Sequence, residues 1–178
     1  MSEPPLGRRL IYRGHKIDLA LHALELADGS SAEREVVVHR GAVALVPMVD
    51  AEHVCLVRNR RYAVGATLLE VPAGTIDRGE SPDETAVREL AEETGYHAGR
   101  LVRVAEWFVS PGVMSERMVL YRCDDLRPGP TRHQPDEQLQ PRVVPWSEAL
   151  AMVYDGRIDD AKTIIALLLC DRLRQTRG

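Results

Sequence analysis

Apolar residues in this chain come in short runs of strand length, separated by turns that contain Gly, Pro and Asp. Two of these turns are prominent, Asp28-Gly29-Ser30 and Ser110-Pro111-Gly112, and both combinations favour reversal of the chain. Runs of this kind predict β-strands, which are buried on both faces where the apolar run is continuous. The predicted strands are residues 10–26, 33–40, 41–49, 53–58, 68–71, 101–109 and 117–123.

Helical segments lie in the middle and at the end of the chain, at residues 82–94, 147–154 and 160–174. Residues 127–140 are polar and hold three prolines, so a loop is expected there. Strands first, one helix in the middle and helices last predict an α+β fold with a mixed β-sheet. Residues 1–40 are expected to form an N-terminal antiparallel β-hairpin extension, and residues 41–178 one continuous domain.

The middle helix has clear ends and two different faces. Ser81 can cap its start, Pro82 suits the first helical position and Gly95 supplies the stop. At 3.6 residues per turn, one face carries three carboxylates, those of Glu89, Glu92 and Glu93. The roughly opposite face is expected to dock on the core and consists of Val87, Leu90, Ala91 and Thr94.

The clustered carboxylates predict a site for divalent cations. Oxygen ligands suit Mg²⁺ or Mn²⁺, which usually keep waters and share phosphate oxygens of a substrate. A solvated acidic face is the simpler alternative, since most charge runs on helices have no other role. That alternative is disfavoured because a loop with Gly74, Gly79 and Glu80 precedes the helix, and because Arg88 can reach Glu92 at i+4.

Composition narrows the function classes. The chain has 178 residues, enough for one domain with a real core, and a net charge of −4 that gives no electrostatic case for binding nucleic acid or an acidic membrane. Cys55, Cys123 and Cys170 are widely spaced in apolar runs, which indicates reduced, buried thiols. No signal sequence opens the chain and no apolar stretch approaches the ~20 residues of a membrane span, so the cytoplasm is the expected location.

Residues 74–96 resemble the Nudix box. The box is written as Gly, five residues, Glu, seven residues, Arg-Glu, an aliphatic residue, any residue, Glu-Glu, any residue, Gly and an aliphatic residue. Its fixed positions match Gly74, Glu80, Arg88, Glu89, Glu92, Glu93 and Gly95. Tyr96 departs from it at a packing position. The resemblance implies the Nudix fold, an α/β/α sandwich, over most of residues 36–170.

Further local matches resemble ADP-ribose pyrophosphatases and related nucleotide-sugar hydrolases. They are Arg58-Asn59-Arg60-Arg61-Tyr62, Leu69-Glu70-Val71-Pro72-Ala73-Gly74, Ser110-Pro111-Gly112 with Glu116, and Asp160-Ala161-Lys162-Thr163. This resemblance implies hydrolysis of ADP-ribose to AMP and ribose 5-phosphate. GDP-mannose, UDP-glucose, a dinucleoside polyphosphate and a capped RNA end remain alternative substrates. A non-catalytic ADP-ribose sensor is disfavoured because the box is intact and no basic helix-turn-helix segment is present.

Roles for the box residues follow from the resemblance. Glu89 and Glu93 are implied as direct ligands of Mg²⁺, for which Mn²⁺ or another divalent cation can substitute, together with the main-chain carbonyl of Ala73. Glu92 would support or bridge the ions. Arg88 would hold the glutamates in position, and Glu80 would be structural or touch an outer ion.

The general base and the substrate contacts are less sharply specified. Within the predicted loop, Glu137 is the first candidate for the base and Asp136 the second, while Glu116 stays a third. Predicted substrate contacts are Arg61, Glu70, Pro111 and Glu116. Family members stack the base partly on N-terminal strands of a partner subunit, which implies a homodimer; the side chains available here are Tyr12, Arg61, Tyr62 and Trp107, although each aromatic side chain is more often part of a core.

Overall fold

The computed structural model describes residues 7–129 and 139–176. Within them lie ten strands and three helices, in an α+β arrangement as predicted. The strands are β1 Gly7–Arg13, β2 Ile17–Glu25, β3 Ser31–His39, β4 Ala42–Pro47, β5 His53–Arg61, β6 Ala66–Glu70, β7 Ala73–Thr75, β8 Tyr96–Phe108, β9 Arg117–Pro128 and β10 Leu139–Pro145. The helices are α1 Pro82–Thr94, α2 Trp146–Tyr154 and α3 Ala161–Gln175. None of the helices in this described part is long and apolar enough to cross a membrane.

The chain divides into two compact units. The first comprises the chain up to Gly41 together with Trp107–Met118, and contains an antiparallel sheet with the order β1-β2-β3. The sequence predicted a hairpin here, with residues 10–26 as one strand; this was wrong, because the chain reverses at Gly14, whose amide donates to the Ile17 carbonyl at 2.9 Å. Val37 of β3 also forms an isolated parallel bridge with Met114.

The second unit comprises Ala42–Glu106 and the chain from Val119 onwards. Its sheets have the orders β10-β5-β6 and β7-β4-β9-β8. All six residues of β4 are buried, as the continuous apolar run predicted. A core cluster joins β4 to α1 and β9 through Val43, Leu45, Ala86, Leu90, Val119, Tyr121 and Cys123. Helix α1 is therefore fixed on the sheet by apolar burial.

Helix α1 has the predicted ends but not the predicted faces. Ser81 and Glu84 form a reciprocal capping box, and Gly95 closes the helix in the left-handed conformation at φ 72°. Val87, however, is exposed, whereas Glu89 and Glu93 are buried beside Leu90. The prediction placed Val87 on the face that docks on the core and the carboxylates on the opposite face; it was wrong because Glu89 and Glu93 are themselves buried, with hydrogen bonds that compensate their burial.

Several boundaries also differ from the prediction. Strand β8 begins at Tyr96, directly after the helix cap, rather than at residue 101. Strand β9 runs to Pro128 and β10 begins at Leu139, so the ends of the predicted loop 127–140 are strands. β10 was missed because Pro141 and Pro145 argue against a strand, although β10 lies at the edge of its sheet, where proline is tolerated.

Candidate active site

The glutamates of α1 are held at different depths. Glu93 is 4% exposed and Glu89 is 9% exposed, both in the half of the helix that packs on the core. The Glu92 side chain retains 28% of its exposure. Three carboxylates thus share one helix end, and two of them are largely removed from water. Burial of a carboxylate is costly unless it accepts hydrogen bonds or pairs with a cation.

Arg88 supplies much of that compensation. Its Nε and Nη2 donate to the two oxygens of Glu80, each at 2.9 Å. Its Nη1 donates to Glu89 at 2.7 Å and to Glu92 at 3.2 Å, so the expected i,i+4 pair is present. The hydrogen bonds from Arg88 lower the pKa of Glu80 to about 2, and the bonds to Glu80 raise the pKa of Arg88 above its ordinary value. One guanidinium therefore ties the preceding loop to two carboxylates of the helix.

Strand β7, which precedes the helix, approaches the glutamates closely. The amide of Ala73 donates to Glu93 Oε2 at 3.0 Å, while Ala73 pairs with Ala44 in the β4–β7 ladder. A Cβ added to Gly74 would lie 1.9 Å from Glu89 Cδ, closer than atoms can approach. With Glu89 in this position, residue 74 has no room for a side chain. The two ends of the box are in direct contact.

Glu70 is the centre of a second ionic cluster. It is 1% exposed and accepts from Arg61 Nε at 2.8 Å, from Arg61 Nη2 at 2.6 Å and from Lys162 Nζ. Lys162 also donates to Asp160 at 2.9 Å. Glu70 raises the pKa of Arg61, with smaller contributions in the same direction from Glu93 and Asp160. Two cations and two carboxylates thus balance within this cluster, close to Glu93.

Sequence reasoning named Glu70 and Arg61 as substrate contacts but missed Lys162 and Asp160 as their partners. The structure shows Arg61 and Glu70 bound to each other; the Arg61 side chain keeps 40% of its exposure. A signal was available, because Lys162 is one of only two lysines in a chain rich in arginine and stands in the motif that resembled the family.

The remaining predicted site residues are divided between the two units, and two of them lie outside the described residues. Pro111 and Glu116 belong to the first unit, in and after the turn where Ser110 accepts from the amide of Met114, and Glu116 lies 3.6 Å from His39 Nδ1. Tyr12 and Trp107 belong to that unit as well, whereas Tyr62 is in the second unit and is 73% exposed. Glu137 and Asp136 lie outside the described residues.

A pocket of about 580 Å³ lies beside α1. Among the described residues, Arg88 is the only fixed box position in its lining, to which α1, β8 and β9 contribute. Tyr121, one of the lining residues, donates from its hydroxyl to Asp83 at the start of the helix. The lining residues are Asp83, Glu84, Val87, Arg88, Leu101, Arg103 and Tyr121.

The donor set fits a hard divalent cation. Carboxylate and carbonyl oxygens are the ligands that Mg²⁺ and Mn²⁺ prefer, and Gly74 leaves the Glu89 carboxylate a space that any side chain would fill. In residues 7–129 and 139–176, no group of three or more His, Cys, Asp or Glu side chains is gathered closely enough to hold a metal ion. The fit therefore rests on Glu89 and Glu93 with the neighbouring main chain.

Comparison with known proteins identifies the family. A family model described as the NUDIX domain matches residues 38–167. The chain belongs to the Nudix family. A solved structure described as ADP compounds hydrolase is 27% identical with a TM-score of 0.84, covering 97% of this chain and 94% of that one. The predicted Nudix fold and the predicted class of Nudix hydrolase are thus confirmed.

Two relatives with the same sequence identity to this chain carry names that describe different activities. The ADP-ribose pyrophosphatase of Bacillus subtilis is 33% identical over 94% of this chain and 91% of its own. The methanol dehydrogenase activator of Bacillus methanolicus is also 33% identical, over 93% of this chain and 91% of its own. The two names describe different activities at the same identity, so the choice of substrate needs its own argument.

Proposed function

We propose that this Nudix hydrolase cleaves ADP-ribose between its two phosphates, giving AMP and ribose 5-phosphate, and that it depends on Mg²⁺. The observation that carries the proposal is the close arrangement of Glu89 and Glu93 against Ala73-Gly74, with Arg88 binding Glu89. The similarity to an ADP-ribose pyrophosphatase over most of both chains supports the choice of substrate.

The metal ligands and the residues that hold them in place have separate proposed roles. Glu89, Glu93 and the Ala73 carbonyl would hold the cations, with Glu92 as a support; bound Mg²⁺ would neutralise phosphate oxygens and lower the pKa of a bound water. Arg88 holds Glu89 and Glu92 through Nη1 and keeps the glutamates from repelling each other. Glu80 fixes the far side of the Arg88 guanidinium, so its role in this proposal is structural.

The proton of the attacking water needs a separate acceptor. Glu137 is the proposed base, with Asp136 and Glu116 as the other candidates. A positioned base contributes roughly 10²–10⁴-fold to a rate, so Glu137→Gln is expected to lower kcat by that factor with little change in substrate affinity. The same loss in Asp136→Gln or Glu116→Gln, with a normal Glu137 variant, would move the role to that residue.

The proposal extends to the whole protein. Residues 1–40 would form an extension that dimerises, and residues 41–178 would carry the catalytic domain. The substrate would be a small nucleotide, with no nucleic acid or membrane partner, and the enzyme would act in the cytoplasm. Arg61, Pro111 and Glu116 are retained as proposed substrate contacts, whereas Glu70 is enclosed by Arg61 and Lys162 and would act through them.

A substrate panel tests the proposal. ADP-ribose, GDP-mannose, UDP-glucose, a dinucleoside polyphosphate and a capped RNA would be incubated with Mg²⁺, with Mn²⁺ and with chelator, and the products identified by mass. We expect the highest kcat/KM for ADP-ribose, AMP and ribose 5-phosphate as products, and no turnover in chelator. A clearly higher kcat/KM for GDP-mannose or a dinucleoside polyphosphate would refute the substrate but leave the Nudix chemistry intact. Tight binding of ADP-ribose without turnover would favour a sensor.

A further inference from the structure

We propose that Thr163 and Lys162, in the first turn of α3, are positioning residues that set the geometry of the metal-binding segment Pro72–Gly74 and of Glu93. The inference rests on the proposed function, since it assumes that this segment and Glu93 bind a divalent cation. It assigns a role in the active site to a helix that follows the box by more than sixty residues in sequence.

Thr163 connects α3 to Val71, the residue directly after β6. It is fully buried, and its Oγ1 accepts from the amide of Val71 at 2.9 Å. The same hydroxyl donates to Asp160 Oδ2 at 2.5 Å, and Asp160 also caps α3 by accepting from the Thr163 amide at 3.0 Å. A hydroxyl has one proton, so donation to Asp160 directs an oxygen lone pair towards Val71. The hydrogen bond to Val71 is therefore set by the helix cap.

Lys162, in the same helix turn as Thr163, binds Glu70, the residue before Val71. Its ammonium donates to Glu70 and, at 2.9 Å, to Asp160. Arg61 also donates to Glu70, so the Glu70 carboxylate binds two cationic side chains and is only 1% exposed. A buried carboxylate with two cationic donors cannot move without exposing an unpaired charge. Glu70 and Val71 are consequently anchored to α3 by adjacent residues.

The anchoring continues without a gap into the site. The carbonyl of Pro72 accepts from the amide of Leu45 at 2.9 Å, and the amide of Ala73 donates to Glu93 at 3.0 Å. Gly74 then lies against Glu89 with no room for a side chain. Every residue from Glu70 to Gly74 is thus fixed by a specific contact. A shift of Val71 changes the Ala73 position, and with it the orientation of Glu93.

If α3 only stabilised the fold and did not position the metal ligands, a different experimental result would be expected. In that case, weakening any contact of the helix would lower the unfolding temperature and leave the affinity for a cation unchanged. A positioning role requires that loss of the Thr163 hydroxyl weakens cation binding in a protein that remains folded. Removal of groups that orient metal ligands typically lowers metal affinity by roughly 10–100-fold.

The test measures Mn²⁺ binding by electron paramagnetic resonance without substrate, alongside thermal unfolding. Thr163→Val keeps the volume and removes the hydroxyl, and is expected to weaken Mn²⁺ binding by roughly tenfold. Thr163→Ser restores the hydroxyl and should bind within about twofold of the parent protein. Lys162→Met removes the second anchor and should weaken binding in the same direction; it serves as an independent variant if Thr163→Val does not fold.

Asp171→Ala is the matched control. Asp171 lies on the same helix and accepts from Trp146 Nε1 at 2.9 Å, so its loss weakens α3 packing away from Val71. We expect a lower unfolding temperature and unchanged Mn²⁺ binding. Parent-like Mn²⁺ binding in folded Thr163→Val and Lys162→Met, or equal weakening in Asp171→Ala, would overturn the positioning role alone. A parent protein that binds no Mn²⁺ would instead refute the metal site of the proposed function and this inference with it.

Discussion

Glu89 and Glu93 occupy helix positions that normally carry apolar side chains, and each is compensated by a specific donor. Arg88 donates to Glu89, and the Ala73 amide donates to Glu93. Without these donors the buried charges would disfavour folding. The arrangement holds two carboxylates in low-dielectric surroundings, where their attraction for a cation is stronger than in water.

Removal of one of these charges tests the role of Glu93. Glu93→Gln keeps an oxygen that can accept from the Ala73 amide, so the fold should persist. Loss of a ligand charge is expected to cost about 3–5 kcal/mol of transition-state stabilisation, measured as kcat/KM for ADP-ribose at saturating Mg²⁺. Glu84→Gln, which removes a charge from the capping box of the same helix, serves as the control and should stay near the parent rate. A normal rate for Glu93→Gln would contradict the assignment.

Gly74 permits a second test at this scale. In Gly74→Ala the new Cβ would collide with the end of the Glu89 side chain, which is flexible and can rotate away. We therefore expect a small loss of stability and a large loss of activity, since misplacing a reacting group by about 1 Å can cost 10²-fold. Gly7→Ala meets only Ala23 Cβ at 3.9 Å, an ordinary contact, and should change neither quantity. A kcat/KM equal to that of the parent protein for Gly74→Ala would show that activity does not depend on the observed position of the Glu89 side chain.

At the scale of elements, α1 is fixed at both ends and tied to the loop before it. The capping box secures its first turn, Gly95 its last, and the Arg88–Glu80 pair joins its middle to the loop. The pKa of Glu80 is lowered to about 2, chiefly by the hydrogen bonds from Arg88. The ionised form therefore stabilises the folded state fully above its ordinary pKa of 4.5, and this contribution is lost as the pH falls towards 2.

This linkage predicts a pH-dependent effect of Glu80→Gln. Above about pH 5 the variant should be less stable than the parent by roughly 1 kcal/mol, less than the roughly 1.5–3 kcal/mol of a hydrogen bond to a charged group because water reaches both side chains. The difference should shrink as the pH falls from 4.5 towards 2, because Glu80 then becomes neutral in the parent too. Urea unfolding across this pH range measures it. Glu52→Gln, whose side chain is 75% exposed, serves as the control and should give only a small difference. A Glu80→Gln difference that does not vary with pH would contradict the stabilising role of the Arg88–Glu80 ion pair.

Sequence reasoning succeeded for elements whose signals are local. Ser81, Pro82 and Gly95 fixed the ends of α1 within the segment itself, and the apolar run predicted buried β4. The faces of α1 were misassigned because periodicity separates apolar from charged positions, whereas Glu89 and Glu93 are buried with donors from an adjacent residue and from a separate strand. The Glu70–Lys162 contact spans 92 residues, so the sequence marks Lys162 as a rare lysine in a motif but does not identify Glu70 as its partner. Contacts of this kind depend on tertiary packing.

At the scale of the whole molecule, the box residues all lie in the second unit, whereas the first unit presents apolar surface. Ile11 is 48% exposed, Tyr12 61%, Phe108 52% and Val113 58%. In addition, β1 and β3 are the outer strands of the three-stranded sheet. Exposed apolar side chains, two of which lie on the edge strand β1, favour association with another chain. A second copy of this protein is the partner that the family resemblance implies.

A charge placed in this surface tests the homodimer. Ile11→Asp should dissociate a dimer, because a stable interface of about 800 Å² per partner excludes an unpaired carboxylate from its centre. Sedimentation velocity would then show the parent as a dimer and the variant as a monomer, while the circular dichroism spectrum stays unchanged. Tyr154→Asp places the same charge at an exposed apolar residue of the second unit, 74% exposed, and should leave the dimer intact. If the partner also completes the base-binding site, Ile11→Asp should raise KM for ADP-ribose more than it lowers kcat. A parent protein that sediments as a monomer would refute the dimer while leaving the chemistry of Glu89 and Glu93 untouched.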